Sequence, residues 1–264
     1  MHVDERHHMY KPHAWARSLR NPNVSIWRYF RLNRFINLIE TGESHFARLD
    51  QFTDQFEGVL PPGTVALPKD GFTNTPRRPD DELTDFETLV RDVNRIGKLC
   101  TFANCWYMSE HESEGMWRLF GSEGVAIQSS YQRLCESFVN EPQSVYVGAV
   151  QYFDYRTTQP ETYGNTLAIA FNKRIEFKHE REVRAVIVHQ PKDWTTGSPP
   201  YEEYREQHSQ GLKAVTDTSV LIDRVVLAPA ISVSSRQQLL EAMEQRGLRK
   251  TVVHSLLDEL PRLI

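Results

Sequence analysis

The sequence predicts an α+β fold, a mixed and mostly antiparallel sheet with flanking helices. Three observations predict it. Extended segments outnumber the places for helical crossovers between parallel strands. The stretch 183–188 (VRAVIV) is rich in β-branched residues, as in a strand covered on both faces. Finally, 39% hydrophobic and 11% aromatic residues in 264 are enough to fill the core of one large domain.

The elements follow in order. Residues 1–23 are a polar lead-in. SIWRYF (25–30) reads as a short aromatic strand, and the next segment places Leu32, Phe35, Ile36 and Ile39 on one helical face, with Gly42 to stop the helix. The extended piece SHFARL precedes an acidic, aromatic run, DQFTDQFEG. Residues 60–80, with Pro61, Pro62, Pro68, Pro76 and Pro79, read as an ordered loop or lid. A helix is expected from residue 81 through DDELTDFETLVRDVNRIGKL. It is followed by a strand at CTFANCWYM, a helix at EHESEGMWRLF, a strand at GVAIQSS and a helix at YQRLCESFV. VYVGAVQYFDY alternates like a half-buried strand, and TLAIAFNKRIEF leads into FKHEREVRAVIVH. Residues 190–211 read as a long surface loop. A strand at VLIDRVVLAP, a serine-capped helix at SSRQQLLEAMEQRG and a last strand at KTVVHSLL complete one domain over residues 1–264.

Composition narrows the function classes. A net charge of −4 provides no general attraction to nucleic acid or anionic membrane, so a polyanionic partner must be bound locally. Cys100, Cys105 and Cys135 are odd in number and lack CxxC spacing, and the polar N-terminus has no signal-peptide core; a cytoplasmic location is expected. No apolar run reaches the length of a spanning helix, so no membrane partner is expected.

The motifs of common chemistries are mostly missing. HExxH, GxxxxGK and GxGxxG do not occur. Asp50, Asp54 and Glu57 would share a helical face, either as metal ligands or as a solvated acidic face. A metal-dependent nuclease would want Glu-x-Lys where Glu182-Val183-Arg184 stands, and arginine does not serve as a base. Cys105 or Ser129 with one of ten histidines would begin a nucleophilic triad, with no supporting spacing. In CWYMSEHESEGMW, a helix beginning near Ser109 would gather Glu110, Ser113, Glu114 and Trp117 on one face.

More pointed is the mouth of the late strand. Glu180 and Glu182, two residues apart in an extended chain, would project to one face with Arg181 on the other. Like charges held together are either solvated and paired with Arg174, Arg181 and Arg184 in a surface ladder, or kept as functional carboxylates.

The segments VSIWRYF, LIETGESHFARLDQFTDQFEG, CWYMSEHESEGMW, GVAIQSSYQRL and FKHEREVRAVI, in this order over residues 24–260, resemble a bacterial domain family of unknown function. Gln55 precedes Phe56 where that family commonly has proline, and Ala47 stands where serine is frequent. More distantly, Arg28 on the first strand, Ser129-Ser130 ending a middle strand and Glu180-x-Glu182 opening a late one resemble the signature of ADP-ribosyltransferases.

That resemblance implies a sheet split into two packed halves and NAD as substrate. It implies Glu182 as the carboxylate that stabilises the oxocarbenium-like ribose, and Glu180 as the residue that orients or deprotonates the acceptor. Arg28 would hold the pyrophosphate, Ser129 and Ser130 the ribose or Glu182, and Tyr29, Phe46 or Trp117 would stack on nicotinamide. The acceptor would be a protein or nucleic acid, and the setting a toxin or anti-phage system with an antitoxin or regulatory partner. The same residues also fit a non-catalytic nucleotide- or peptide-binding sensor module, in which Arg28, Glu180 and Glu182 do not converge.

Overall fold

The computed structural model describes residues 13–14, 16–59, 94–158, 166–191 and 201–258. The 60–80 loop, residues 81–93 of the helix expected after it, most of the lead-in and residues 192–200 lie outside them.

Alternation builds β1 (Ser25–Arg31), which buries residues on both faces. Helix α1 (Leu32–Thr41) then buries Leu32, Phe35, Leu38 and Ile39. Gly42 ends it at φ 67, its N–H donating to Leu38 O at 2.9 Å, a left-handed cap that suits glycine. Next come β2 (Glu43–Arg48), helical residues 94–100 (α2) and β3 (Thr101–Met108). The helix expected over 110–120 begins only at Glu114 (α3, Glu114–Phe120), because the Ser113 side chain accepts the Met116 N–H and caps it there. β4 (Gly124–Ser130) follows as expected, and α4 (Tyr131–Glu136) ends three residues before the expected helix does.

The later elements depart more from expectation. The strand foreseen over 145–155 is two strands, β5 (Tyr146–Ala149) and β6 (Gln151–Phe153), that pair with different partners. Next come α5 (Thr166–Ile169), β7 (Asn172–Arg174), a 3-10 turn over Ile175–Glu180 and β8 (Glu182–Val188). The 190–211 loop contains α6 (Tyr201–Gln207), held where Arg48 Nη1 donates to Arg205 O and His208 O at the helix end. β9 (Leu212–Val215) was not foreseen. The segment read as one strand from 220 is α7 (Thr218–Leu221), capped by Asp217, and then β10 (Arg224–Leu227). α8 (Val233–Gln245) and β11 (Thr251–His254) end the described fold.

The expected mixed, mostly antiparallel sheet with flanking helices is present. Its order is β11-β10-β4-β1-β3-β2-β9, with β8 between β3 and β5; among the described strands of this sheet β10 and β11 run parallel and the other pairs antiparallel. β3 is the fork. β8 pairs with it from Thr101 to Tyr107, so β1 and β2 must share its other edge, β1 at Tyr107 and Met108 and β2 at Phe102 and Ala103. Between them the ladder is open. Asn104 Nδ2 and Arg28 Nη2 both donate to His45 O there, at 2.9 and 3.2 Å, and close the gap with side chains.

One face of the sheet carries the main core, including Ile26, Phe35, Phe102, Trp106, Ile127 and Val183. The other face holds two smaller clusters, Trp27, Tyr29 and Trp117 on one arm and Leu49, Ala103, Phe171 and Val186 on the other. Glu182 lies on this second face.

Candidate active site

Register decides which side chains meet. Trp27 pairs with Tyr107 and Tyr107 with Glu182, so these three share one face, and alternation turns Arg28 to the other. Ile26 pairs with Ser129 and Arg48 with Phe102, which puts Ser129 and Phe46 with Arg28. Tyr29 and Trp117 lie on the Glu182 side.

Glu180 and Glu182 do meet, by a route other than the extended one expected. Glu180 closes the 3-10 turn, Arg181 is left-handed at φ 43, and only Glu182 is in the strand. A non-glycine residue in that region costs about 1–2 kcal/mol, so the surrounding contacts must hold the turn. They include Met108 N–H donating to Arg181 O at 2.9 Å and Glu182 N–H donating to Tyr152 Oη at 2.8 Å. The carboxylates converge on one ammonium. Lys173 Nζ lies 2.5 Å from Glu180 Oε2 and 2.6 Å from Glu182 Oε1.

The cluster extends inward. Arg184 follows Glu182 by two residues on the same face, is 0% exposed, and donates from Nε to Glu182 Oε2 at 2.5 Å. Its Nη1 donates to Glu57 Oε1 at 2.6 Å and to Ala170 O at 2.8 Å. Glu57, 1% exposed, also stands 3.4 Å from Lys173 Nζ through Oε2. Three carboxylates thus surround two cations. The surface ladder anticipated for these residues is instead a buried hub, and Arg174 belongs elsewhere, paired to Asp54 at 2.7 Å.

One negative charge too many makes the outermost acid yield. Glu180, whose side chain is 33% exposed, is raised to about 7, first by burial and then by the neighbouring Glu182 carboxyl. For Glu182 burial is the largest influence and opposes ionisation. The Arg184 charge, with hydrogen bonds from Glu180 and Arg184 and the Lys173 charge, outweighs it and holds the carboxyl well below the usual range. Two adjacent acids are thereby driven apart in protonation, the condition under which one serves as base and the other as a fixed charge.

The remaining candidates are placed as follows. Arg28 is at the fork, its guanidinium 6.0 Å from the Trp106 ring centre, and burial lowers it to about 10. Among the described residues it forms no ion pair. Tyr29 Oη accepts the Ser113 N–H at 2.8 Å, and the ring stands edge-on to Trp117, centroids 4.8 Å apart. Trp117 Nε1 donates to Glu112 Oε2 at 2.7 Å, so the acid beside the indole is Glu112, not Glu110 or Glu114. Phe46 is 0% exposed and packs on Phe138. Ser129 Oγ donates to Leu221 O, while Ser130 caps α4 by accepting the Arg133 N–H, the role considered for Ser129.

Other readings are corrected by geometry. Asp50 lies in a short 3-10 turn at Leu49–Gln51, with Asp54 and Glu57 in the chain beyond it rather than on one helical face, and each takes its own arginine: Arg48, Arg174 and Arg184. Among the described residues no three His, Cys, Asp or Glu side chains are grouped to hold a metal ion. Burial, then the Glu182 charge, pushes the Cys105 thiol far up, so it stays protonated.

Sequence reasoning missed Lys173 and Glu57 as partners of the glutamates. Arg184 had a readable signal, its i+2 spacing from Glu182. Lys173 and Glu57 had none, since only tertiary folding brings them in.

Among the described residues no helix is long and apolar enough to cross a membrane. No family model matches the chain, and no curated protein matches it. Among solved structures the chain is similar to Thermus sp. 2.9 DarT in complex with carba-NAD+, at 12% identity and a TM-score of 0.34, over 91% of this chain and 98% of that one. So loose a superposition transfers neither fold nor site residues.

Proposed function

We propose that this chain is an NAD-dependent ADP-ribosyltransferase acting on a protein or nucleic acid, with Glu180 and Glu182 at its reacting edge. The observation that carries the reading is the carboxylate pair held on Lys173 with its protonation driven apart. The order of Arg28, Ser129-Ser130 and Glu180-x-Glu182 along the chain supports it.

In this reading the bond between ribose C1′ and the nicotinamide nitrogen breaks, and its electron pair leaves with nicotinamide. Ionised Glu182 offsets the positive charge that develops on the ribose. The acceptor atom bonds to C1′ and its proton passes to Glu180, whose value near 7 suits a base at neutral pH. Arg28, expected at the pyrophosphate, lies on the face of the sheet opposite Glu182 and donates to His45 O, so it takes no part in this step. Tyr29 and Trp117 pack on the Glu182 side of the sheet, Phe46 and Ser129 lie on the Arg28 side, and Ser130 caps α4. By the same resemblance we assign the enzyme to a bacterial toxin or anti-phage system, restrained by an antitoxin or regulatory partner.

A second reading, a nucleotide- or peptide-binding module without chemistry, is favoured by one observation. Arg28 and Glu182 project to opposite faces, and both Glu182 oxygens are engaged. For a nuclease, Lys173 and Arg184 fill the space between the acids where a divalent ion would sit.

The test is nicotinamide release from NAD by the purified protein between pH 5 and 9, with and without cell lysate. Release is expected to rise through pH 7 as Glu180 loses its proton. NAD binding with no release in buffer or lysate would move the chain to the binding module, and neither binding nor release would overturn both uses of NAD.

A further inference from the structure

We propose that Lys173 is the positioning residue of this edge, its ammonium holding Glu180 and Glu182 together and governing which of them carries the proton. The inference rests on the transferase reading for its catalytic meaning, and on geometry for its content. Lys173 is 5% exposed, yet it belongs to none of the main strands. It arrives on β7, which among the described residues pairs with β6 in a separate two-stranded sheet, with Tyr152 and Lys173 as register partners. The small sheet thus delivers one buried cation to the mouth of β8.

A lysine ammonium has three donors and no acceptor, and three carboxylates surround this one. Glu180 and Glu182 take hydrogen bonds at 2.5 and 2.6 Å, and Glu57 Oε2 at 3.4 Å makes an ionic contact without hydrogen-bond alignment. The Phe177 ring centre lies 4.9 Å away. The groups that face Glu180 are Lys173 from β7 and Glu182 from β8, and Glu182 in turn faces Arg184 from β8, Tyr152 from β6 and Cys105 from β3, with Glu57 from the loop after β2 against Lys173 and Arg184. Arg184 is turned inward to Glu182 and Glu57, which leaves Lys173 as the cation that touches both glutamates of the edge. Removing it would leave Glu180 against Glu182 with no charge between them.

The test follows the Glu180 side-chain carboxyl by carbon-13 NMR across pH in the whole chain and in Lys173→Met. The wild-type midpoint is expected near 7, and the variant's higher by about one unit or more, since an adjacent opposite charge is worth that much to a carboxylate. The pH profile of nicotinamide release should move by the same interval, and Lys173→Arg, which restores a cation, should return the midpoint toward the wild-type value. An unchanged Glu180 midpoint in folded Lys173→Met would overturn the proposal. Should that variant not fold, the wild type decides: the Lys173 Nζ nitrogen-15 shift must report the Glu180 midpoint, and a shift that ignores it overturns the proposal equally. A wild type that releases no nicotinamide defeats the transferase reading alone, because the carboxyl titration needs no NAD.

Discussion

Glu182→Gln is expected to lower the rate of nicotinamide release by about 10²–10³-fold, the usual loss when a fixed charge that offsets transition-state charge is removed. The substitution keeps the side chain's shape and removes its charge. Two carboxylates, Glu57 and Glu180, then face two cations, Lys173 and Arg184, so the hub is balanced where the wild type had one negative charge in excess. The amide offers one oxygen where the carboxylate engaged both cations, and the lost hydrogen bond costs about 1–3 kcal/mol. With the Glu182 charge gone, Glu180 should titrate below 7. Steady-state release and chemical denaturation on the same preparation separate the two effects; a folded variant that retains more than a tenth of the wild-type rate would remove Glu182 from the chemistry.

Arg184→Met is expected to cost about 3–5 kcal/mol of stability, the penalty for stripping one partner from a buried ion pair. Methionine fills much of the volume, so the loss is electrostatic. Glu57 Oε1, Glu182 Oε2 and Ala170 O lose their donor together, and three carboxylates remain around Lys173 alone. The pH dependence gives the sign. In the wild type Glu182 lies below its unfolded value, so its contribution is present above that value and is lost as pH falls through the folded one. Glu180 is raised, so its contribution is full below its unfolded value and is lost as pH rises through about 7. In the variant Glu182 loses its main cation and joins Glu180 on the raised side, so the deficit should shrink between pH 7 and pH 5. Urea denaturation at both pH values checks this, and a loss under 1 kcal/mol at pH 7 would show that the hub contributes little.

Local pattern carried the parts of the fold that depend on neighbours in sequence. The apolar face of α1, Gly42 at its end, and the β-branched run of β8 all follow from spacing along a few residues. Short elements with weak periodicity did not. α6 offers Tyr201 and Tyr204 among charged residues and is fixed by Arg48 from a distant strand, while β9 is four residues whose place is set by pairing with β2. The paired glutamates were legible as a pair, but the turn that joins them was not, because Arg181 adopts a conformation that sequence disfavours and only the packed ends impose. Alternation along one strand tells which residues of that strand share a face. It does not tell that β1 and β8 reach opposite sides through β3, and the separation of Arg28 from Glu182 is a property of that register.

The most direct test of the central claim follows label from NAD carrying phosphorus-32 in its adenylate phosphate into the macromolecules of a lysate. Wild-type protein is expected to transfer label to acid-insoluble protein or nucleic acid in step with nicotinamide release, and Glu182→Gln to transfer none above background. Nicotinamide left intact and label left wholly in NAD, with folded wild-type protein and fresh lysate, would contradict the account and leave the buried hub as architecture for a binding module.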